Sequence, residues 1–381
     1  MDTATELLER LQNKMKLLSS QQDWAKYCCI YTVPHSLRNM KPLAYTPQLI
    51  SIGPLHHGDE RLKAMEEQKL RYLEVFIEQN EMDEMRIMDL LSSIHKDEEY
   101  IRLCYPHRLE QIESIDLVEM IVLDSVFIIE FFEKLTAEFL NDSTADRPRM
   151  FFEPRMTFCI LEDLMLLENQ LPSKLTFTQG ADYEQQILVM NFTDLLRNFM
   201  LKGALQRSNY TESIKLKYSA IMLRKAGIKF KVSRDNCLIN IQFENGVLKI
   251  PRLEVRDSFE RFVRNLMALE QYYNPSEAYI CNYFKFMDHL INTAEDVDLL
   301  IEEGIILNCL GDSDSVSNLI NNLCQQISET YSCYSDICQR MNEHYENRWN
   351  HRRATLKLVY FSNVWRGTGT VAAAIFFFFF F

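Results

Sequence analysis

Residues 117–134, LVEMIVLDSVFIIEFFEK, constrain this chain more than any other stretch. At about 100° per residue, Glu119, Glu130, Glu133 and Lys134 gather in a narrow stripe, and the rest of the circumference is apolar. A helix with so little polar surface has to be wrapped by other helices. Asp124 and Ser125 fall on its apolar side, so it carries an acid into its own packing face. A chain of 381 residues is long enough to bury such a core.

The same period recurs along the chain. Residues 60–79 place Leu62, Met65, Tyr72, Leu73, Phe76 and Ile77 on one side. Further helices are expected over 158–170, 183–203, 212–226, 257–272, 276–292, 295–303, 313–329 and 332–360. The β signal lies in 228–250, where Ile228, Phe230 and Val232 alternate with polar residues, as do Ile239, Ile241 and Phe243. Glu244-Asn245-Gly246 then predicts a hairpin turn, because Asn-Gly tolerates the positive φ angles of a two-residue loop. Pro251 closes the unit. The expected architecture is α+β and predominantly α-helical: an amphipathic helix in 1–24, a single helical domain over 25–363 with a small antiparallel β insertion near 228–250, and a hydrophobic tail over 364–381. No Ser/Gly/Pro-rich linker interrupts the body, and 141–149 and 204–212 read as surface loops.

At the amino terminus Leu8, Leu11, Met15 and Leu18 follow helical spacing, and no apolar run of a secretory signal is present. The ten cysteines are therefore expected as reduced thiols in a cytosolic body. The carboxyl end differs in kind. Residues 371–381, VAAAIFFFFFF, supply about 16 Å of helix against a hydrocarbon core of about 30 Å. Arg340, Arg348, Arg352, Arg353, Lys357 and Arg366 precede this tail against Glu343 and Glu346, a basic flank of the kind found on the cytoplasmic side of a membrane anchor. A run of Phe is also what translation of a pyrimidine tract gives; a missing last exon is the expected explanation, and the 3′ end of the transcript tests it.

Residues 30–58, IYTVPHSLRNMKPLAYTPQLISIGPLHHG, hold four of the ten prolines and predict an irregular strap across the helical body. The motifs of common chemistries are missing. There is no GxGxxG, Walker loop or GxSxG elbow, and no HExxH or CxxC. No His has a Glu three residues before it, as a di-iron bundle requires. Cys333, His344 and His351 share a helix face but about 16 Å separates the first two, and the adjacent His56 and His57 read as turn residues making hydrogen bonds. A net charge of −13 repels phosphate backbones. Neither a cofactor, a metal, a nucleic acid nor a small-molecule substrate is expected.

Two acids project from apolar faces: Glu168 in LMLLENQ and Glu270 in NLMALEQ. With Asp124 they predict a buried polar core in which Gln170, Gln271, Lys69 or Arg38 satisfy the carboxylates and fix helix register. The alternative is a pair of carboxylates serving as general acid and base in a glycosidase-like hydrolase.

Ordered blocks of the sequence carry a resemblance. VPHSLR, AYTPQLISIGPLHHG and MEEQKLRYL, followed by MIVLDSVFIIEFF, EDLMLLENQLP, AGIKF, INIQFENGVLKIP, RNLMALEQ, DVDLLIEEGII and RWNHRRATLKLVYFSNVW, resemble the plant family catalogued as domain of unknown function 247, of UPF0481 type, over about residues 25–365. Within the strap the matching positions include Pro34, Arg38, Tyr45, Pro47, Gly53, Pro54, His56, His57 and Gly58. The resemblance implies a protein with one carboxy-terminal membrane helix and no established catalysis; some grass members are associated with pollen self-incompatibility. This chain departs from the family after Val364-Trp365, where a proline before Trp and a longer apolar helix after it would stand. The expected protein recognises an unidentified protein partner through the strap and the two loops. Its bulk lies in the cytoplasm, with membrane association through the tail or a cytosolic location without it.

Overall fold

The computed structural model describes residues 3–19, 27–106, 109–139, 154–172, 191–202, 211–235, 237–273, 275–327 and 331–355. Although no linker interrupts the body, the chain divides into two compact units, residues 1–197 with 264–272, and residues 198–263 with 273–381.

In the first unit the helices are α1 (Thr3–Ser19), α2 (His35–Met40), α3 (Lys63–Gln79), α4 (Glu84–Lys96), α5 (Glu98–Leu103), α6 (Ser114–Phe139), α7 (Pro154–Leu164) and the start of α8 (Phe192–Leu201). The apolar run lies within α6, extended by one to two turns. Leu117, Met120, Ile121, Phe127, Ile128 and Phe131 of α6 are buried with Met65 and Tyr72 of α3 and Ile30, Ile50 and Ile52 of the strap. Glu130, assigned to the polar stripe, is instead buried beside Lys134, at 3.9 Å, while the Lys134 ammonium sits 3.9 Å from the Tyr72 ring centroid. Helix α7 ends at Leu164 rather than 170. The Gln170 amide donates to the carbonyls of Leu164 (2.5 Å), the last residue of the helix, and of Leu166 (2.6 Å), in the turn that follows it. Helices α4 and α5 were not legible in the sequence. Asp83 caps α4 by accepting from the Arg86 amide at 2.9 Å, but no α4 residue is fully buried, so its apolar pattern is diffuse.

The second unit contains β1 (Thr211–Glu212), α9 (Ala220–Lys225), β2 (Lys229–Ser233), β3 (Gln242–Glu244), β4 (Val247–Pro251), β5 (Leu253–Val255), α10 (Phe259–Tyr273, whose residues 264–272 belong to the first unit), α11 (Tyr279–Leu290), α12 (Ala294–Glu302), β6 (Ile306–Asn308), α13 (Ser313–Leu323), β7 (Tyr331–Ser332), α14 (Ser335–Glu346) and α15 (Arg348–Thr355). Asn245 (φ 50°) and Gly246 (φ 72°) form the expected turn, and β3 and β4 pair antiparallel. The insertion is not wholly antiparallel, however. The hairpin occupies one edge of β4, and β2 reaches the other edge in the same direction as β4, with Phe230 opposite Leu248, so the order is β2-β4-β3. The separate pair β5 and β6 is also parallel. Residues 213–219, expected as helix, are not helical: the Ile214 amide donates to Ser335 Oγ (3.1 Å) and the Lys217 amide to Asn342 Oδ1 (3.0 Å), side-chain bonds that replace an intrahelical ladder.

His289, at the end of α11, is half-buried, and burial together with Lys215 and Lys285 pushes its pKa down to about 4 from 6.5. A histidine that stays neutral when folded contributes stability that is fully present above pH 6.5 and fades as pH falls towards 4. Because the ring is partly exposed, the contribution is on the order of 1 kcal/mol. Asp288 beside it is raised by burial and titrates in the opposite sense, so the comparison with His289→Asn isolates the ring. Urea unfolding should lose stability between pH 6.5 and 4 in the wild type and about 1 kcal/mol less in the variant. Parallel pH curves would refute the assignment.

Candidate functional site

A proline-rich strap cannot pair its amides in a helix or sheet, so buried side chains have to accept them. Three acids and an amide do so, all in the first unit. Asp163, on α7, takes the amides of Gln48 (3.0 Å), Leu49 (2.7 Å) and Ile50 (2.9 Å). Asn169 Oδ1 accepts from the Ile52 amide at 2.7 Å, and its Nδ2 returns a bond to the Ile50 carbonyl at 3.0 Å. Asp124 Oδ2 takes the Gly53 amide at 2.7 Å, and its Oδ1 lies 2.5 Å from Lys69 Nζ. Lys69 also donates to Glu66 Oε1 (2.6 Å) and the Ser51 carbonyl (2.7 Å).

Glu168, 5% exposed, closes the other end. Its Oε1 accepts the Val33 amide at 2.6 Å, its Oε2 pairs with Arg38, and His56 Nε2 stands 3.3 Å away. Burial pushes this carboxyl up, but His56, Arg38 and the Val33 amide outweigh it and hold its pKa below the ordinary carboxylate range. Around Lys69 burial pushes the ammonium pKa down, while Asp124 and Glu66 together hold it above its ordinary value. Gln170 accepts from the Phe192 amide at 2.9 Å, and Tyr105 donates to the Gln170 carbonyl at 2.9 Å. Asn265 joins the Leu167 amide (2.9 Å) to the Ala44 carbonyl (2.8 Å).

Glu270, 1% exposed, receives Arg197 Nε at 2.9 Å. Gln271 makes no bond to these acids: its amide nitrogen has no partner among the described residues. Of the strap positions, Tyr45, Pro47 and Gly53 are buried, Pro34, Arg38, Pro54 and His56 half-buried, and His57 and Gly58 exposed. Residues 141–149 and 204–210 lie outside the described residues, as do Lys357, Arg366 and the tail. Arg352 is exposed, its guanidinium carbon 5.5 Å from the Trp349 ring centroid, and Arg353 follows it on α15.

Within this arrangement Glu168 is held as a charged acceptor, while burial raises the Asp124 carboxyl against the pull of Lys69 and the Gly53 amide. A glycosidase needs one carboxyl raised so that it stays protonated; Glu168 is held in the opposite sense, as an acceptor. No cluster of three His, Cys, Asp or Glu side chains among the described residues is able to hold a metal ion, and no described helix is long and apolar enough to cross a membrane.

A different surface of the first unit is open. Helices α3, α4 and α6 enclose a groove of about 500 Å³ lined by Leu70, Leu73, Leu91, Ile115, Val118 and Val122, with His95 and Ser114 also on its wall. Ser114 donates to Glu98 Oε2 at 2.5 Å, and His95 Nδ1 lies 3.2 Å from the same oxygen.

Asp124, Glu168 and Glu270 were visible as polar residues on apolar helix faces; most of their partners were not. Asp163 was missed, though its place in the series Ile160, Asp163, Leu164, Leu167 put it on the buried stripe. Arg197 is 73 residues from Glu270, and no local pattern joins them.

Fold and site together define a mainly helical α+β protein in which a proline-rich strap is fastened to buried acids. Residues 30–176 and 173–379 match the model of a family described as a plant protein of unknown function, DUF247. The chain belongs to that family. It is similar to the UPF0481 protein At3g47200 of Arabidopsis thaliana, 26% identical over 393 residues that cover 89% of this chain and 81% of the relative. It is also similar to the Arabidopsis thaliana UPF0481 protein At3g02645, 20% identical over 485 residues that cover 91% and 87%. No solved structure matches it.

Proposed function

We propose that this protein works by recognising another protein chain, with the α3/α4/α6 groove as a receptor for an amphipathic helix. The groove carries the reading. Its lining is mainly leucine, isoleucine and valine, and Leu70, Leu91 and Ile115 are exposed, an arrangement that suits the apolar stripe of a helix better than a polar substrate. The internal use of Asp124, Asp163 and Glu168 supports a scaffold role for the acids. The basic residues before the tail, Arg340, Arg348, Arg352 and Arg353 among them, support attachment to a membrane with the bulk on the cytoplasmic side.

Proximity labelling in the plant tissue that expresses the protein tests this, with wild type and Ile115→Asp compared. Ile115 is 76% exposed, so the variant should melt with the wild type. The neighbours of the wild type should include a discrete set that is lost from the variant, and both should fractionate with membranes. An unchanged set of neighbours would reject the groove as the recognition site.

A further inference from the structure

Helix α1 exposes Leu7, Leu8, Leu11 and Met15, each by half or more. At positions i, i+1, i+4 and i+8 these form one stripe along roughly 12 Å of helix. A single 17-residue helix is marginal in water without a surface to pack on. The groove described above is a surface of matching chemistry in the same chain.

The attachment of α1 places the two near each other. Tyr27, where the described chain resumes after α1, packs edge-on against Tyr100 of α5, with ring centroids 6.1 Å apart. Two residues before Tyr100 is Glu98, the carboxylate that holds Ser114 and His95 of the groove wall. Residues 20–26 therefore tether α1 to the edge of the groove, with a reach of at most about 25 Å. In the single folded chain the stripe nonetheless stays in solvent and the groove stays open. Both faces are covered if a second copy approaches so that each chain supplies its α1 to the groove of the other. A helix in one groove is small beside the roughly 1,200–2,000 Å² of a stable interface; the two-fold arrangement makes the contact twice.

We propose that the protein forms a symmetric dimer in which α1 of each copy lies in the α3/α4/α6 groove of the other. This rests on the groove being a helix receptor and names its occupant.

The test uses the full chain in a mild detergent, with a benzophenone amino acid in place of Met15 and with isotopically light and heavy copies mixed. Irradiation should join position 15 of one isotope to residues of α3, α4 or α6 of the other. Leu11→Asp damages the helix and Ile115→Asp the groove, both at exposed positions; each alone should weaken the cross-link by about tenfold or more. Mixing the Leu11→Asp chain without the photoreactive group and the Ile115→Asp chain carrying it should restore about half of the cross-link, because one intact helix then meets one intact groove. Cross-links within one isotope only, cross-links elsewhere, no cross-link, or no recovery on mixing would each overturn the dimer. Neighbours lost from Ile115→Asp in plant tissue without light–heavy cross-links would leave the recognition reading standing and remove only the exchange of α1.

Discussion

Replacing Lys69 by Met is expected to cost about 3–5 kcal/mol, enough to unfold the first unit. Lys69 is 0% exposed, and its ammonium is shared among Asp124, Glu66 and the Ser51 carbonyl. Methionine preserves the apolar stem but leaves the Asp124 carboxylate, itself 0% exposed, as an uncompensated buried charge and removes the donor from Ser51. Removing the acid as well, in Lys69→Met with Asp124→Leu, should recover part of the loss, because the unpaired charge goes while the Gly53 amide still lacks its acceptor. Equilibrium urea unfolding followed by circular dichroism measures both variants. Since the Lys69 pKa is held above its ordinary value of 10.5, its contribution is fully present below that pH and is lost only as pH rises through the raised value. Burial already raises the Asp124 pKa and the substitution removes the ammonium that opposes this rise, so the orphaned carboxyl takes up a proton at lower pH, and the difference between wild type and Lys69→Met should grow from about pH 6 to about pH 9. A loss below about 1 kcal/mol would mean that the pair does not hold the strap.

The parts of this fold legible in the sequence are those in which a local period forces burial. The run around Asp124 needs neighbours on nearly every side, and it became the helix on which strap and α3 converge. Asp124, Glu168 and Glu270 could be placed on apolar faces because three- and four-residue spacings are properties of one helix. Lys69 and Arg38 were within the set of residues able to answer them, and both do. Gln170 answers backbone instead, ending α7 and holding Phe192. What the pattern could not supply was pairing across the chain. The parallel partner of β2 was hidden because Asn245-Gly246 identifies one edge of β4 and nothing local identifies the other. The non-helical backbone of 213–219 was hidden for a related reason: the Ser335 and Asn342 side chains that occupy its amides lie more than a hundred residues away. Helices α4 and α5 were obscured by a half-exposed apolar pattern, and α4 forms one wall of the groove on which the recognition reading depends.

Gly53→Ala should destabilise the first unit by about 3 kcal/mol or more, although it adds one methyl group. Gly53 has φ +71°, a conformation that costs an L-residue about 1 kcal/mol. Its new Cβ would also stand 2.5 Å from the Gln170 carbonyl oxygen and 2.9 Å from Tyr105 Oη. Those two atoms are already bonded to each other at 2.9 Å, and the Gly53 amide is held by Asp124. Room for a methyl group thus requires moving the strap off its carboxylate or the Gln170 turn off the end of α7, and neither is the free tip of a flexible side chain. Gly58→Ala separates the two causes. Gly58 also has a positive φ, +83°, but nothing lies within 4 Å of the added Cβ, so only the backbone strain of about 1 kcal/mol should be felt. Urea unfolding of the two variants side by side should show Gly53→Ala losing at least twice as much as Gly58→Ala. Equal losses would mean that the strap yields at Gly53, and that its contact with the Gln170 turn is not what fixes its course.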